Sequence, residues 1–444
     1  MNGTVVGMVL AATSVLTPAP QFTQDWIWCA NSGHVFAHDL SISGCTAVIR
    51  FGRELPHNLS IAFQNRANAH FAKGDLDSAI ADYGQAIRHD AENAIAFGNR
   101  GRALAIKGDL PRAIADYNEA IRLAPNRAGT FAHRADAFRI MGDNDRALAD
   151  YSEAIAGGLQ DAEIFFNRGN AYGSKGDVEH AIANFNEAIQ RDPHHAHAFH
   201  NRGLAYYSRH DYQKAAADLT RAIELEPGYA VAFYTRGLTR YAQRDYEHAV
   251  ADYSEAIRLD PNYAFAYGNR ARAYRNLGDL DRAIADFDQS LALDATNAND
   301  FNGRGVIHLE KREFAQAIAD FDQAIRLVPD HALALSNRCW SKALNRDQLL
   351  LALADCNEAL RLRPLHAATI ANRAFVYLRL DDPYRAIADY NTALELDPKN
   401  AHALHGRSLA LRQSGDTEAA DRDAADAKLI RPNVAGEFVS GEVN

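Results

Sequence analysis

A period of 34 residues runs through most of this 444-residue chain. The tripeptide Asn-Arg-Gly, or a close relative of it, recurs at residues 99–101, 167–169 and 201–203, and an Ala-Ile-Ala-Asp-Tyr motif or a variant follows each copy. Because one short unit cannot bury its own apolar face, a chain of this kind has to stack its copies into an array. In register, eleven units cover residues 60–434, the ninth being one residue longer, and begin at Ser60, Ala94, Ala128, Ala162, Ala196, Ala230, Ala264, Ala298, Ala332, Ala367 and Ala401.

Each unit is predicted to form two amphipathic helices. Apolar and small residues recur at spacings of three and four in both halves, which is the period of a helix face. Gly108 and Asp109 separate the halves of the second unit, where one helix must stop and the next must be capped. The eighth position of a unit is always small and the twentieth is always Ala, with an aromatic residue four positions later in most units. Small residues on facing helices let the two backbones approach closely.

This pattern resembles the tetratricopeptide repeat. The resemblance implies an all-α fold: a right-handed superhelical solenoid of eleven 34-residue helix-turn-helix repeats, in which the first helix of each pair lines a concave groove. Before it, residues 20–59 form an N-terminal cap segment with a lone capping helix over 40–51, where Cys45 stands in the place of the aromatic residue. Residues 435–444 form a C-terminal tail.

Two charged positions share the period. The seventh position is Arg in all eleven units, and the twenty-third is Asp in all but the fourth, which has Asn184. Because guanidinium and carboxylate bond in pairs, we predict a structural ladder of Arg–Asp contacts; arginines directed at an acidic ligand are the alternative. The ladder includes Arg100, Arg168, Arg202, Arg236, Arg270, Asp116, Asp218, Asp252 and Asp286.

The sixth position is Asn in seven units. This series resembles the asparagine ladder in the superhelix of O-linked N-acetylglucosamine transferase, and the resemblance implies a groove that holds extended peptide. A carboxamide offers both a donor and an acceptor, as a peptide unit does. The alternative is that these residues bond locally within the scaffold. The predicted peptide-binding residues are Asn65, Asn99, Asn167, Asn201, Asn269, Asn337 and Asn372.

Histidines cluster at residues 194–200, where His194, His195, His197 and His200 stand within seven positions. His197 and His200 lie three residues apart on one helix, and we expect both to face the groove. Together with Phe166 and Tyr234 they would form an adhesive patch in its middle. The alternative is a metal site, although no Cys or carboxylate spacing accompanies these histidines. His402 and His405 repeat the arrangement in the last unit.

Charge and apolar content bear on location and partners. The net charge of −10 argues against nucleic acid as the partner, and no stretch is long enough to predict a membrane span. Residues 1–19 resemble a secretory signal peptide, although no Lys or Arg precedes Arg50. A periplasmic or secreted protein is therefore predicted, with a cytoplasmic one as the alternative.

The four cysteines divide into two pairs along the sequence. In an exported chain, a Cys29–Cys45 disulfide is the natural use of the first pair. Cys339 and Cys356 stand at core positions of the repeat, and both are predicted to be buried free thiols.

The function predicted from these features is a non-catalytic protein–protein interaction scaffold. It binds an extended peptide or a partner protein in the concave groove, and it needs neither a cofactor nor a metal. Two alternatives remain at this point. One is a metal-dependent enzyme or metal-binding protein using the His194–His200 cluster, and the other is a structural assembly element that binds through its ends. The oligomeric state does not follow from the sequence.

Overall fold

The computed structural model describes residues 20–31, 35–346 and 348–438, and all regular structure within these ranges is helical. The predicted signal peptide, residues 1–19, and the end of the predicted tail, residues 439–444, lie outside the described residues. The first helices of the eleven repeats are α3 (Pro56–Ala72), α5 (Ala94–Ile106), α7 (Ala128–Ile140), α9 (Ala162–Ser174), α11 (Ala196–Ser208), α13 (Ala230–Ala242), α15 (Ala264–Asn276), α17 (Ala298–Glu310), α19 (Ala332–Leu344), α21 (Ala367–Arg379) and α23 (Ala401–Ser414). The second helices are α4 (Leu76–His89), α6 (Leu110–Leu123), α8 (Asn144–Ala156), α10 (Val178–Arg191), α12 (Tyr212–Leu225), α14 (Tyr246–Leu259), α16 (Leu280–Leu293), α18 (Phe314–Leu327), α20 (Leu349–Leu362), α22 (Pro383–Leu396) and α24 (Thr417–Ile430). Helices α1 (Pro20–Ala30) and α2 (His38–Phe51) precede the repeats, and a 3-10 helix (Val434–Phe438) follows them.

The described residues fall into two compact units, one that ends at Ala205 and one that begins at Tyr206. Inside each unit, first helices pack on their own second helices, as α3 packs on α4 and α13 on α14, and the hairpins stack in sequence order. First helices of neighbouring repeats also contact each other, as α5 contacts α7 in the first unit and α19 contacts α21 in the second. We call the surface formed by the first helices of a unit its inner face. The all-α repeat solenoid predicted from the sequence is confirmed.

Glycine and aspartate set the turn inside a hairpin. Gly108 has a φ of 84°, which a glycine adopts without steric cost. The side chain of Asp109 then accepts a hydrogen bond from the backbone N–H of Arg112 and caps α6. Arg244 stands at the same place in the sixth repeat with a φ of 64°, a conformation that costs free energy for a residue with a side chain.

The residue at the eighth position of a repeat has to be small because an aromatic ring packs against it. A Cβ atom built on Gly237 would lie 2.6 Å from the ring of Tyr253, which belongs to the same hairpin and is fully buried. Such a contact is far shorter than van der Waals packing allows. The eighth and twenty-fourth positions of a repeat are therefore facing partners, and together they set the distance between its two helices.

The prediction that Cys339 and Cys356 are free thiols is wrong, because the two residues stand at facing positions of one hairpin. Cys339 and Cys356 occupy the eighth and the aromatic positions of the ninth repeat, and they form a disulfide with an S–S distance of 2.07 Å and a Cα–Cα distance of 5.5 Å. The sequence interpretation treated them as two separate core residues and overlooked that the two positions meet in every hairpin. The disulfide takes the place of the small–aromatic pair.

The spacing that joins facing positions in a repeat also occurs in the N-terminal segment. Cys29 on α1 and Cys45 on α2 are bonded at 2.12 Å across a separation of 16 residues, the spacing that joins Gly237 to Tyr253. Arg66 of the first repeat donates from Nη1 to Thr46 on α2 at 3.1 Å. The predicted lone capping helix thus has a partner, α1, and the two form a hairpin of the repeat type. Among the described residues, no helix is long and apolar enough to cross a membrane.

Candidate functional site

The arginine at the seventh position bonds both its own hairpin and the preceding one. Arg236 on α13 donates from Nη2 to Asp252 Oδ1 on α14 at 2.7 Å and from Nε to Oδ2 at 3.0 Å, while its Nη1 donates to Thr220 of the preceding repeat at 3.0 Å. Asp252 is only 2% exposed. Paired Arg–Asp contacts recur at Arg66–Asp82, Arg100–Asp116, Arg134–Asp150, Arg270–Asp286, Arg304–Asp320, Arg338–Asp355, Arg373–Asp389 and Arg407–Asp423.

One member of the predicted ladder, Arg168, differs from this pattern. Arg168 faces Asn184 instead of an aspartate, and a single bond joins its Nε to Asn184 Oδ1 at 2.7 Å. Burial, not offset by a facing carboxylate, lowers the pKa of Arg168. Arg202 and Asp218 belong to different compact units. Within its own unit, Arg202 donates to Asn186 at 2.7 Å.

The asparagines of the sixth position are half-buried on the first helices. Most of them use Nδ2 to bond the first helix of the preceding repeat, at that repeat's fifth or ninth position. The bonds run from Asn99 to Asn68 (3.1 Å), from Asn201 to Asn170 (2.7 Å), from Asn269 to the Tyr234 hydroxyl (3.0 Å), from Asn337 to Asn302 (3.0 Å) and from Asn372 to Ser336 Oγ (3.1 Å). These amides therefore stand in a row where one inner-face helix meets the next.

Two positions of the row have an available acceptor atom. Among the described residues, no hydrogen-bond donor reaches Oδ1 of Asn269 or Asn337. Asn167 departs from the row, because its Nδ2 donates to Glu163 of its own helix at 3.3 Å. Asn65 lines a small pocket beside α1 and α2, together with Asn68. The sequence located the face on which the asparagines lie, but not their partners.

The histidine cluster separates into different environments. His200 is buried, its Nδ1 lies 2.9 Å from Asn201 Oδ1, and burial lowers its pKa. His195 packs on the Phe166 ring at 4.6 Å and accepts the backbone N–H of Ala198 at 3.2 Å. His194 and His197 are exposed. In the described part of the chain, no three His, Cys, Asp or Glu side chains are placed to share a metal ion.

The predicted central patch does not consist of free aromatic surface. Phe166 is half-buried and packs on His195 and on Phe185, with 6.0 Å between the centroids of the two phenylalanine rings. Tyr234 lies in the other compact unit and packs on Tyr263 at 4.8 Å. Both rings fill space between helices within their own units.

A second site lies on the inner face of the last repeats, and sequence analysis missed it. Phe438 of the 3-10 helix is only 6% exposed. Its ring lies 5.4 Å from Trp340, 5.1 Å from Phe375, 4.9 Å from His405 and 5.8 Å from His402, measured between ring centroids. We call Val434–Phe438 the C-terminal segment and these four rings the aromatic pocket. The sequence contains a feature that indicates this pocket, because Trp340 and Phe375 are the only aromatic residues at the ninth position of any repeat.

Polar contacts also hold the C-terminal segment. Arg379 donates from Nη2 to the carbonyl oxygen of Phe438 at 3.2 Å, and Arg312 donates to the carbonyl oxygen of Gly436. The carboxylate of Glu437 contacts His402 Nε2 and lies 3.2 Å from Arg431 Nη1. Both main chain and side chains of the segment are thus bound.

Two cavities border the segment. One, of about 470 Å³, is lined by Trp340, Leu344 and Glu437 among others. The other, of about 450 Å³, is lined by Phe375, Arg379 and Phe438 among others. The segment therefore fills only part of the space on this inner face.

Comparison with known proteins gives a consistent family. Family models described as tetratricopeptide repeat or TPR repeat match residues 65–128, 135–176, 162–263, 253–285 and 367–400, more than half of the chain. No curated protein matches the sequence.

One solved structure shares the fold over nearly the whole chain, and two further structures align with part of it. The APC/C hetero-tetramer Cut9–Hcn1 aligns over 95% of this chain and 96% of its own, with 14% identity and a TM-score of 0.51. A tetratricopeptide repeat protein from Parabacteroides merdae aligns over 55% of this chain and 97% of its own, with 23% identity and a TM-score of 0.45. YrrB aligns over 41% of this chain and 95% of its own, with 22% identity and a TM-score of 0.38.

Proposed function

The chain belongs to the tetratricopeptide repeat family, and from that premise we propose that it is a non-catalytic scaffold whose inner faces bind an extended peptide or partner protein. Proteins of this family bind protein partners. The observation that carries the proposal for this chain is the row of half-buried asparagines on the first helices, with acceptor atoms left over at Asn269 and Asn337.

The chemistry of the row suits a peptide main chain. At Asn269 and Asn337, Nδ2 is fixed by the preceding repeat, as in the 3.0 Å bond from Asn337 to Asn302, so the orientation of the amide is set before a ligand arrives. A preorganised acceptor loses little conformational entropy when it binds. The remaining Oδ1 accepts a backbone N–H whatever the side chains of the ligand are.

The arginine series supports the scaffold rather than the ligand. Arg236 uses Nε, Nη1 and Nη2 for bonds inside the protein. A guanidinium engaged in this way has little left with which to bind an acidic ligand. We therefore assign the ladder to register and spacing of the repeats, which is the best-attested use of buried ion pairs.

Both cysteine pairs support a place in an oxidising compartment. The disulfides Cys29–Cys45 and Cys339–Cys356 join facing positions of two hairpins. Structural disulfides persist in secreted and periplasmic proteins and are rare in the cytosol of most organisms. The proposed scaffold therefore acts outside the cytoplasm, as the resemblance of residues 1–19 to a signal peptide also predicts.

Affinity capture from native extract tests the proposed groove. The wild-type chain is compared with a variant in which Asn99, Asn269 and Asn337 are all changed to Ala, and circular dichroism establishes that both are helical. We expect a partner that the wild type retains and the variant loses.

A matched control removes three carboxamides from second helices instead. Gln190, Gln213 and Gln316 are exposed on α10, α12 and α18, and their change to Ala should leave capture intact. Equal retention by all three proteins would contradict a peptide-binding row and leave the asparagines as part of the scaffold.

A further inference from the structure

The C-terminal segment is bound to the inner face as a peptide ligand would be. Its phenylalanine enters the aromatic pocket, its carboxylate contacts His402, and its carbonyl oxygens accept from Arg312 and Arg379. A buried aromatic anchor surrounded by polar contacts is the arrangement found at the centre of binding interfaces.

The pocket is assembled from three successive repeats. Trp340 comes from α19, Phe375 from α21, and His402 and His405 from α23. At the ninth position, the other repeats have polar, charged or aliphatic residues, so an aromatic lining here is a local departure from the period. A scaffold position repeats along the array, whereas a specificity position does not.

Space and hydrogen-bonding capacity remain beside the segment. The bordering cavities of about 470 Å³ and 450 Å³ are open to a longer chain. Arg379 Nε is buried and has no hydrogen-bond partner among the described residues, which is costly for a charged group. The C-terminal segment therefore fills only part of the space at this site and leaves Arg379 Nε without a hydrogen bond among the described residues.

From these contacts we propose that the inner face of repeats 9–11 is a binding site for a peptide that carries an acidic residue followed by an aromatic one, and that Glu437 and Phe438 occupy it in cis until such a peptide displaces them. The inference rests on the proposed function, because it places a peptide on the inner face. The residues of this site differ from those of the asparagine row, so an experiment can reject the C-terminal site without rejecting the row, and the row without rejecting the site.

The short connection between α24 and the C-terminal segment determines how strongly the segment competes with a free peptide for the aromatic pocket. Only residues 431–433 separate α24 from the 3-10 helix, and a short tether gives an effective concentration in the millimolar range. For a free peptide that binds the vacant site with a dissociation constant of about 50 μM, competition at about 1 mM raises the apparent constant roughly twentyfold. Vacating the site should therefore reveal binding that the wild type largely masks.

The probe is a fluorescein-labelled, C-terminally amidated peptide with the sequence of residues 433–438, titrated into the full chain and followed by fluorescence anisotropy. The Phe438→Ala chain should bind it at least tenfold more tightly than the wild type. The same peptide with Ala in place of its Phe should not bind. Adding Arg379→Ala to Phe438→Ala should weaken binding at least fivefold.

Phe265→Ala is the matched control, since Phe265 is an exposed phenylalanine on α15. This variant should bind the probe as weakly as the wild type. A Phe438→Ala chain that is folded by circular dichroism but does not bind the probe would overturn the proposal and make the segment a fixed part of the fold.

Hydrogen exchange gives a test that needs no vacated variant. Unlabelled peptide in excess over the wild-type chain should increase exchange at residues 434–438, because the segment leaves the pocket. Unchanged exchange at saturating peptide would also overturn the proposal. If the peptide binds as expected while the asparagine variant retains every captured partner, this site stands and the asparagine row does not.

Discussion

Replacing Asp252 by Asn should be among the most destabilising single changes in the ladder. Its carboxylate accepts from Nε and Nη2 of Arg236 and also, at 2.8 Å, from Arg240 Nη1. Removing one partner of a fully buried ion pair costs about 3–5 kcal/mol. The arginine side chains here retain 13% and 24% exposure, so water recovers part of that cost, and we expect a loss of about 2–3 kcal/mol.

The fourth repeat offers the reverse experiment. Asn184→Asp places a carboxylate opposite Arg168, which now has a single 2.7 Å bond to this position. The change also removes the bond from Asn184 Nδ2 to the carbonyl of His180, which offsets part of the gain. A net stabilisation of about 1 kcal/mol is expected, since a charge-assisted bond contributes more than a neutral one.

Hydrogen exchange followed by mass spectrometry is the appropriate assay, because long repeat arrays do not unfold in one step. Asp252→Asn should increase exchange mainly in α13 and α14, and Asn184→Asp should slow it in α9 and α10. A loss below about 0.5 kcal/mol for Asp252→Asn, together with faster exchange in Asn184→Asp, would refute the structural assignment of the ladder.

Three further experiments test other parts of the repeat. In hydrogen exchange of α13 and α14, Arg244→Gly should stabilise its repeat by about 0.5–1 kcal/mol, because Arg244 has a φ of 64°. Gly278→Ala, at the equivalent turn with a φ of 79°, should destabilise its own repeat by a similar amount or more. Changing both Cys339 and Cys356 to Ser should cost about 3 kcal/mol for a loop of 17 residues. The double variant Cys339→Ala with Cys356→Tyr restores the small–aromatic pair and should recover part of this loss; equal hydrogen exchange in α19 and α20 of the two double variants would contradict the facing-pair interpretation. Burial lowers the pKa of His133 in the folded chain, so its contribution to stability is present above the unfolded pKa and is lost as pH falls through the folded value, by at most about 1.4 kcal/mol per pH unit. Between pH 7.5 and 5.5, the His133→Asn variant should therefore lose less stability than the wild type. Parallel curves of stability against pH for the two proteins would contradict this.

The fold was predictable because the same pattern of residues recurs in eleven repeats. Gly108 and Asp109 identify a turn from residue type alone, and a small eighth position, such as Gly237, identifies a close approach of two helices. The Cys339–Cys356 bridge followed from the same spacing and was nevertheless missed, because the two positions were interpreted singly. The information lay in the pairing of positions rather than in either position.

The sites were less predictable, because their contacts do not repeat. Asn269 bonds a tyrosine hydroxyl and Asn337 an amide, since the partner depends on which side chain the preceding repeat offers. The contact between Phe438 and Trp340 joins residues far apart in the sequence and outside any shared period. Periodicity reveals a scaffold, whereas a binding site has to be found where the period is interrupted.

The C-terminal segment also has to be distinguished from an ordinary cap. A repeat array needs a polar surface at its last helix, yet Leu429 of α24 is 85% exposed and Ile430 is 45% exposed. A segment selected to cover the end would lie over these two residues. Instead Phe438 packs on Trp340 and Phe375, residues of the first helices of earlier repeats. Among the described residues, the C-terminal segment leaves Leu429 exposed and fills the inner face, and this is the arrangement expected if the segment occupies a binding site rather than capping the array.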